Sequence, residues 1–258
     1  MPRFILVLAV VLFAGCASPR VDRPDRTDVL QAGDTPVRVL VYESSLPGPT
    51  LFNMHDDENT SVEAAVRVVD ELGGRLVALA HTGERNLTFE VAGEAFTIDP
   101  NRMFTDAGAT RSLERFESNT PAAHRAIRAF ANQVLDQYDL TAGGVVVTLH
   151  NNTDQRYSAL SYTEGADYEA EAAGVHIGPG TDPDDFYFVT DRELFDAFQT
   201  LGYNAVLQDN EAATDDGSLS VLAAQLNLPY VNVEAQHGHR RQQTEMIRAL
   251  YRVLGTGV

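Results

Sequence analysis

The sequence predicts an α/β fold, a three-layer sandwich in which helices cover both faces of a mixed, largely parallel central sheet. Three observations lead there. Short β-branched apolar runs alternate along the chain with segments of helical periodicity. Several of those runs are almost wholly apolar, as strands covered on both faces are. A length of 258 residues, 44% of them hydrophobic and 22% charged, suffices for one sizeable core, and no internal repeat divides it.

Met1 to Gly15 has one Arg, Arg3, then an apolar run from Phe4 to Ala14. That run is shorter than the ~20 residues of a permanent membrane helix and is expected to be an export signal peptide. Phe13-Ala14-Gly15-Cys16 resembles a bacterial lipobox, in which cleavage before the cysteine leaves it N-terminal and lipidated; an ordinary secretory signal is the alternative. Cys16 is the single cysteine, so lipidation would consume the only thiol, and no intrachain disulfide or zinc thiolate can form. Ala17 and Ser18 follow in place of an inner-membrane retention Asp, so the expected location is the bacterial cell envelope, lipid-anchored in the outer membrane and facing the periplasm. Residues 16–36, rich in Arg, Asp and Pro, are expected to be the lipidated Cys and a flexible tether.

The catalytic domain is expected over 37–258. Val37–Tyr42 (VRVLVY) reads as a buried strand, and Leu51–Met54 is a second apolar run that ends at His55-Asp-Asp-Glu58. Val62, Ala65, Val66, Val69 and Leu72 recur at helical spacing, with Thr60 or Ser61 as the N-cap and Gly73-Gly74 as the stop. Leu76–Ala80 is a strand, and Leu87–Ile98 is a hairpin turning at Ala92-Gly93, with Asp99-Pro-Asn101-Arg102 directly after it. Pro121–Tyr138 is a helix with Ile127, Phe130, Val134 and Leu135 inward. Gly144–Leu149 is the most strand-like run and ends on His150-Asn-Asn. Tyr157–Asp185 is too long for a simple connection and is expected to wall or cover a site. Helices over Asp191–Leu201 and Ser218–Leu226, strands over Ala205–Gln208 and Tyr230–Glu234, and an amphipathic stretch over Thr244–Leu254 complete the chain.

Acidic residues number 37 against 19 basic ones, a formal net charge of -18, which repels nucleic acid and anionic membrane surfaces. Every basic residue is Arg. Without Lys, neither Schiff-base chemistry nor a GxxxxGK phosphate loop can be built.

Three polar segments stand at the ends of apolar strands: His55-x-x-Glu58, His150 and Glu234. Ligands gather at strand carboxyl ends in open α/β sheets, so these segments are candidates for a single site. Two imidazoles and a carboxylate are what a catalytic Zn²⁺ takes. HxxE alone is a weak signal, because the same residues could simply place acids at a helix N-terminus.

The order of the motifs resembles the zinc carboxypeptidase (carboxypeptidase A-like) metallopeptidase family and its succinylglutamate desuccinylase and aspartoacylase relatives. That pattern is HxxE, an Asn-Arg pair, a lone His at a strand end and a Glu on a late strand, matched here by His55 and Glu58, Asn101 and Arg102, His150, and Glu234. The resemblance runs from Val37 to Glu234. It implies one Zn²⁺ per chain held by His55, Glu58 and His150, with Asn101 and Arg102 gripping a substrate carboxylate. It further implies Glu234 as the general base toward the attacking water, and Arg85 as the group that stabilises the oxyanion. The planar, permanently charged Arg fork suits a carboxylate. No single residue among Tyr157, Tyr162, Tyr168 and Tyr187 matches the family's substrate-loop Tyr.

The function so implied is a zinc hydrolase that cleaves an amide bond adjacent to a free carboxylate, as a carboxypeptidase or N-acyl-amino-acid amidohydrolase does, on a peptide or N-acyl amino acid substrate. A non-catalytic envelope lipoprotein that binds peptides or carboxylates on the same fold is the alternative. Arg102 has a competing structural reading as an ion-pair partner of Asp99 or Asp106, and His237-Gly-His239 is a rival metal pair or a polar loop near Glu234.

Overall fold

Nine strands pair into one sheet in the order β1-β2-β4-β3-β7-β11-β9-β10-β8. The computed structural model describes Val21 and residues 23–256, so the expected signal peptide and Cys16 lie outside the described residues. The strands are β1 (Arg26–Ala32), β2 (Thr35–Glu43), β3 (Thr50–Asn53), β4 (Arg75–Ala80), β7 (Val146–Asn152), β8 (Ala172–His176), β9 (Phe186–Val189), β10 (Asn204–Gln208) and β11 (Tyr230–Gln236). A separate hairpin joins β5 (Leu87–Val91) to β6 (Glu94–Ile98). The helices are α1 (Asn59–Leu72), α2 (Asp106–Arg115), α3 (Pro121–Gln137), α4 (Arg192–Thr200), α5 (Leu219–Gln225) and α6 (Arg240–Val253).

The sheet is mixed with a parallel centre. β4, β3, β7 and β11 run side by side in one direction, while β2 and β9 flank them antiparallel. Alternate strand residues feed two cores, as the pleat dictates. On one face Val147, Leu149, Val231 and Val233 pack beneath α1, α4 and α6, with Phe198 stacked on Tyr187 at 3.7 Å between centroids. On the other face Val37, Val39, Val41 and Phe52 meet Leu113, Ile127, Phe130 and Leu219 from α2, α3 and α5, together with Phe89 and Phe96 of the hairpin. These are the three layers expected.

The flexible tether is corrected over residues 26–36. Arg26 to Ala32 pairs antiparallel with β2 from Arg26↔Val41 to Ala32↔Thr35, and Gly33 turns the chain at φ 61°. Leu30 and Ala32 are buried, whereas Arg26, Thr27 and Gln31 are exposed. An edge strand with one wet face needs only a sparse alternation of apolar residues, and the Arg and Asp between them give the composition of a linker. Three further elements have no counterpart among the strands and helices read from the sequence. Helix α2 is polar in composition but is N-capped by Thr105, whose Oγ1 accepts the Gly108 N–H at 3.1 Å. The segment 157–185 contains edge strand β8, and β9 (FYFV) follows it directly, its aromatic residues buried on both faces. Among the described residues, no helix is long and apolar enough to cross a membrane.

Candidate metal centre

The residues singled out by their types gather at the carboxyl ends of the parallel strands: His55 and Glu58 just beyond β3, His150 and Glu234 two residues before the ends of β7 and β11. After β3, a tight turn carries His55 to Glu58, and α1 begins at once, with Glu58 in the N-cap position but making no cap bond through its side chain. Neighbours take over the capping work. Asn151, at the end of β7, accepts the Ser61 N–H on Oδ1 at 2.9 Å, and Ser61 Oγ donates to the Glu58 carbonyl at 2.8 Å. Asn53 Nδ2 donates to the same hydroxyl at 2.8 Å, and Gln243 of α6 donates to the His150 carbonyl at 3.0 Å. These hydrogen bonds fix the backbone of the turn and free the Glu58 carboxylate for the site.

His55, Glu58 and His150 each offer one donor atom, all within 4.8 Å of one another. His55 Nδ1 lies 2.8 Å from Glu58 Oε1 and 3.1 Å from His150 Nδ1, which is itself 3.1 Å from Glu58 Oε2. All three residues are buried. The remote nitrogen of His55 is held by Asp99, with Nε2 2.9 Å from Oδ1, and Arg85 donates to Glu58 Oε1 at 2.7 Å while standing 3.7 Å from Asp99. An imidazole fixed from behind by a carboxylate is the arrangement that orients metal-binding histidines.

The electrostatics favour a cation at this point. Burial alone would push the Glu58 carboxyl up, but His55 and His150 hold it well below the ordinary carboxylate range, and Asp99 is held low against burial chiefly by His55. Burial pushes His150 down, toward the neutral form that binds metal. Burial opposes charge on His55 too, yet Glu58 and Asp99 outweigh it and lift its pKa to about 9. The donor set therefore fits a divalent ion: an ionised carboxylate, one neutral imidazole, and a second imidazole whose Nδ1, facing Glu58, would exchange its proton for the metal while Asp99 keeps the Nε2 proton. Two nitrogens and an oxygen are the ligand types that Zn²⁺ accepts.

Beside the cluster opens a cavity of about 910 Å³, lined among others by Glu58, Arg85, Asn101, Arg102, His150 and Glu234. Glu234 sits on β11 in register with His150 on β7. Burial, and then the charge of Glu58, raise its pKa to about 8, although Asn232 Nδ2 donates to its Oε2 at 2.9 Å. Tyr157, Tyr162 and Tyr168 form an aromatic wall, with the Tyr157 and Tyr162 hydroxyls 2.6 Å apart, so this part of the long segment does line the cavity. Tyr187 does not reach it: it is buried in the core under α6, donating to the Met246 carbonyl at 2.7 Å.

Asn101 and Arg102 lie on a short 3₁₀ turn capped by Asp99. Arg102 pairs with neither Asp99 nor Asp106; its Nη1 lies 3.2 Å from Asp216, and Asp106 instead takes Arg128. Asn101 Oδ1 accepts the Leu219 N–H at 3.3 Å. His239 points away from the cluster to Asp185, 3.1 Å away, and with Asp182 these form a separate, more exposed group. Two residues escaped the reading by type. Asp99 was visible only as a possible partner for Arg102, although its position in the same DPNR run was the available signal. Asp216 carried no signal, since its role rests on a contact with a residue over a hundred positions away.

No family model and no curated protein matches the chain. Solved structures do. A murein-tripeptide amidase from Escherichia coli O157 is 14% identical, with a TM-score of 0.40 over 90% of this chain and 92% of the other. A metallo-carboxypeptidase from Burkholderia cenocepacia is 13% identical, with a TM-score of 0.41 over 91% of this chain and 66% of the other. A succinylglutamate desuccinylase/aspartoacylase from Rhodobacter sphaeroides is 13% identical, with a TM-score of 0.42 over 87% of this chain and 60% of the other. These are the classes of protein that the motif order resembles.

Proposed function

We propose that the protein is a metal-dependent hydrolase that cleaves an amide bond in a small substrate anchored through its free carboxylate, as a carboxypeptidase or N-acyl-amino-acid amidohydrolase does. The observation that carries this reading is the convergence of His55, Glu58 and His150 beside a cavity whose wall also carries Glu234, an acidic group outside the donor set. A divalent ion at such a site, Zn²⁺ by the donor types, supplies Lewis acidity and makes water acidic enough to ionise near neutral pH.

The chain's own groups supply the rest. Glu234, whose pKa of about 8 leaves it mostly protonated at neutral pH without a metal, would ionise once a divalent ion supplies the missing positive charge, and could then take a proton from water and return it to the departing amine. Arg85 reaches the same space on a side chain that is 45% exposed, so it can leave Glu58 and meet negative charge developing on the carbonyl oxygen. Asn101 and Arg102 anchor the carboxylate from the opposite end of the 3₁₀ turn that holds Asp99. The tyrosine wall excludes water from one side of the cavity.

Elemental analysis of the purified protein before and after chelation tests the reading. About one zinc per chain, lost in His150→Ala together with amidase activity, is expected. Glu234→Gln should retain the metal and lose about a hundredfold or more in kcat. Absence of tight metal refutes the proposal, and unchanged turnover in Glu234→Gln removes that residue from the role. Full metal loading without cleavage of any peptide or N-acyl amino acid favours the alternative, a carboxylate-binding lipoprotein. We further propose that Cys16 is lipidated and tethers the domain in the envelope; Cys16→Ser should then move the protein from the membrane to the soluble fraction.

A further inference from the structure

A carboxylate clamp built on Arg102 alone would present an unopposed guanidinium, yet Arg102 Nη1 lies 3.2 Å from Asp216 Oδ2 at the cavity wall. Asp216 is not there by the accident of a loose loop. Its neighbour Asp215 accepts the Thr105 hydroxyl at 2.6 Å, and the Gly217 carbonyl accepts the Phe104 N–H at 3.0 Å. Gly217 also packs so closely on Gly108 of α2 that a Cβ on either residue would overlap the other. Asp216 Oδ1 accepts the Ser218 N–H at 2.9 Å, which leaves Oδ2 turned to Arg102.

Arg102 keeps donors in reserve. Nη1 is shared between the Asn101 carbonyl, at 2.7 Å, and Asp216; Nη2 and Nε meet no partner among the described residues. Both side chains remain partly open, at 35% and 41% exposure. The cavity wall thus offers a guanidinium edge and an anionic oxygen side by side. A ligand carrying only a carboxylate gains the first and is repelled by the second. A ligand with an ammonium next to its carboxylate satisfies both. The 3.2 Å spacing requires that cation within a bond or two of the carboxylate, which excludes one at the end of a long side chain.

We infer that Arg102 and Asp216 together bind the zwitterionic head of an α-amino acid whose α-nitrogen is free, so that the scissile amide lies on a second, side-chain nitrogen. The substrate class is a diamino acid acylated on its distal amine. This rests on the hydrolase reading above and narrows it. In the reaction the distal amide C–N bond breaks, the oxygen of water joins the acyl carbon, which leaves as a carboxylate, and the distal amine takes up a proton. The α-ammonium and α-carboxylate are unchanged.

The test pairs acetylated diamino acids, from Nβ-acetyl-diaminopropionate to Nε-acetyl-lysine in both enantiomers, with acetamido-alkanoates of equal length that lack the α-ammonium. Binding is measured by calorimetry on metal-loaded Glu234→Gln, which does not consume the ligand, and kcat/KM on the wild type. At least one chain length should bind about tenfold tighter than its alkanoate partner, the scale of one charge-assisted hydrogen bond. Asp216→Asn, which keeps an oxygen for Ser218, should bring the pair within about threefold while far-UV circular dichroism shows the fold intact. Equal binding of the two series, a preference for Nα-acetyl amino acids, or a preference that survives in Asp216→Asn overturns the inference and leaves the hydrolase reading standing. Asp216-dependent binding of the zwitterions with no cleavage of any amide upholds the recognition and overturns the hydrolase reading instead.

Discussion

Replacing Glu234 by Gln in the metal-stripped protein probes the electrostatics of the site without any substrate. Glu234 is 4% exposed, and burial followed by the charge of Glu58 raises its pKa from 4.5 to about 8. The folded state therefore binds this proton more tightly than the unfolded chain does. The stabilisation is complete at pH values below about 4.5 and is lost as the pH rises through about 8. Over a span of about 3.5 units, at about 1.4 kcal/mol per unit, the loss is on the order of 5 kcal/mol. His55 has the same sign, its pKa being raised from 6.5 to about 9, so its contribution is lost between those values and persists in the variant. The measurement is urea unfolding followed by far-UV circular dichroism, in chelator and at constant ionic strength, from pH 5 to pH 9. The stability of Glu234→Gln minus that of the wild type should rise by about 1 kcal/mol per pH unit between pH 5 and 8. Because the readout is a slope, a constant packing cost of the substitution does not disturb it. A difference that does not change with pH would refute the argument that Glu234 stands desolvated beside a negative charge.

Three further outcomes are expected. Asp99→Ala removes the acceptor behind His55 Nε2 and should weaken metal affinity about 10- to 100-fold in competition with a chromophoric chelator; unchanged affinity would show that Asp99 does not orient the ligand. Gly217→Ala places a Cβ at a position with φ 84° and 2.6 Å from Gly108 Cα, so it should cost on the order of 1–3 kcal/mol in urea unfolding and weaken zwitterionic ligands by shifting Asp216. A chain beginning at Val37 loses β1 and bares the edge of β2, and should aggregate on size-exclusion chromatography, whereas one beginning at Arg23 should remain a cooperative unit in thermal melts.

How far the site is legible in the sequence follows from the reach of each contact. His55 and Glu58 are close in sequence, and the apolar run before them and the helical period after them place their turn at a strand end; His150 and Glu234 each follow an apolar strand run, although β7 and β11 continue for two residues beyond them. The centre of the sheet is legible because its strands are apolar on both faces. Its margins are not, because β1 and β8 are edge strands in which turn-like composition hides a weak alternation, and α2 owes its place to a cap and to Gly108 against Gly217. Contacts across long sequence separations leave no local trace. His55 to Asp99 and Arg102 to Asp216 are of this kind, and both alter the chemistry.

The charge balance shows why those long-range partners matter. Glu58, Asp99 and Glu234 bring three carboxyl groups around one point, and the neighbouring permanent cation that meets two of them is Arg85. Without a metal, the balance is restored by protons, one on His55 and one on Glu234, whose pKa values of about 9 and about 8 both lie above neutrality. Groups that rely on protons to tolerate burial are groups arranged for another cation. A divalent ion supplies the same two charges at the point where the donor atoms of His55, Glu58 and His150 already meet, which would leave Glu234 free to exchange its proton with water and substrate. The same reasoning separates this site from the group formed by Asp182, Asp185 and His239. There Asp182 is exposed and His239 is 36% exposed, and the buried Asp185 is met by the Gln236 N–H at 2.9 Å and by His239, so burial imposes no comparable demand for a metal.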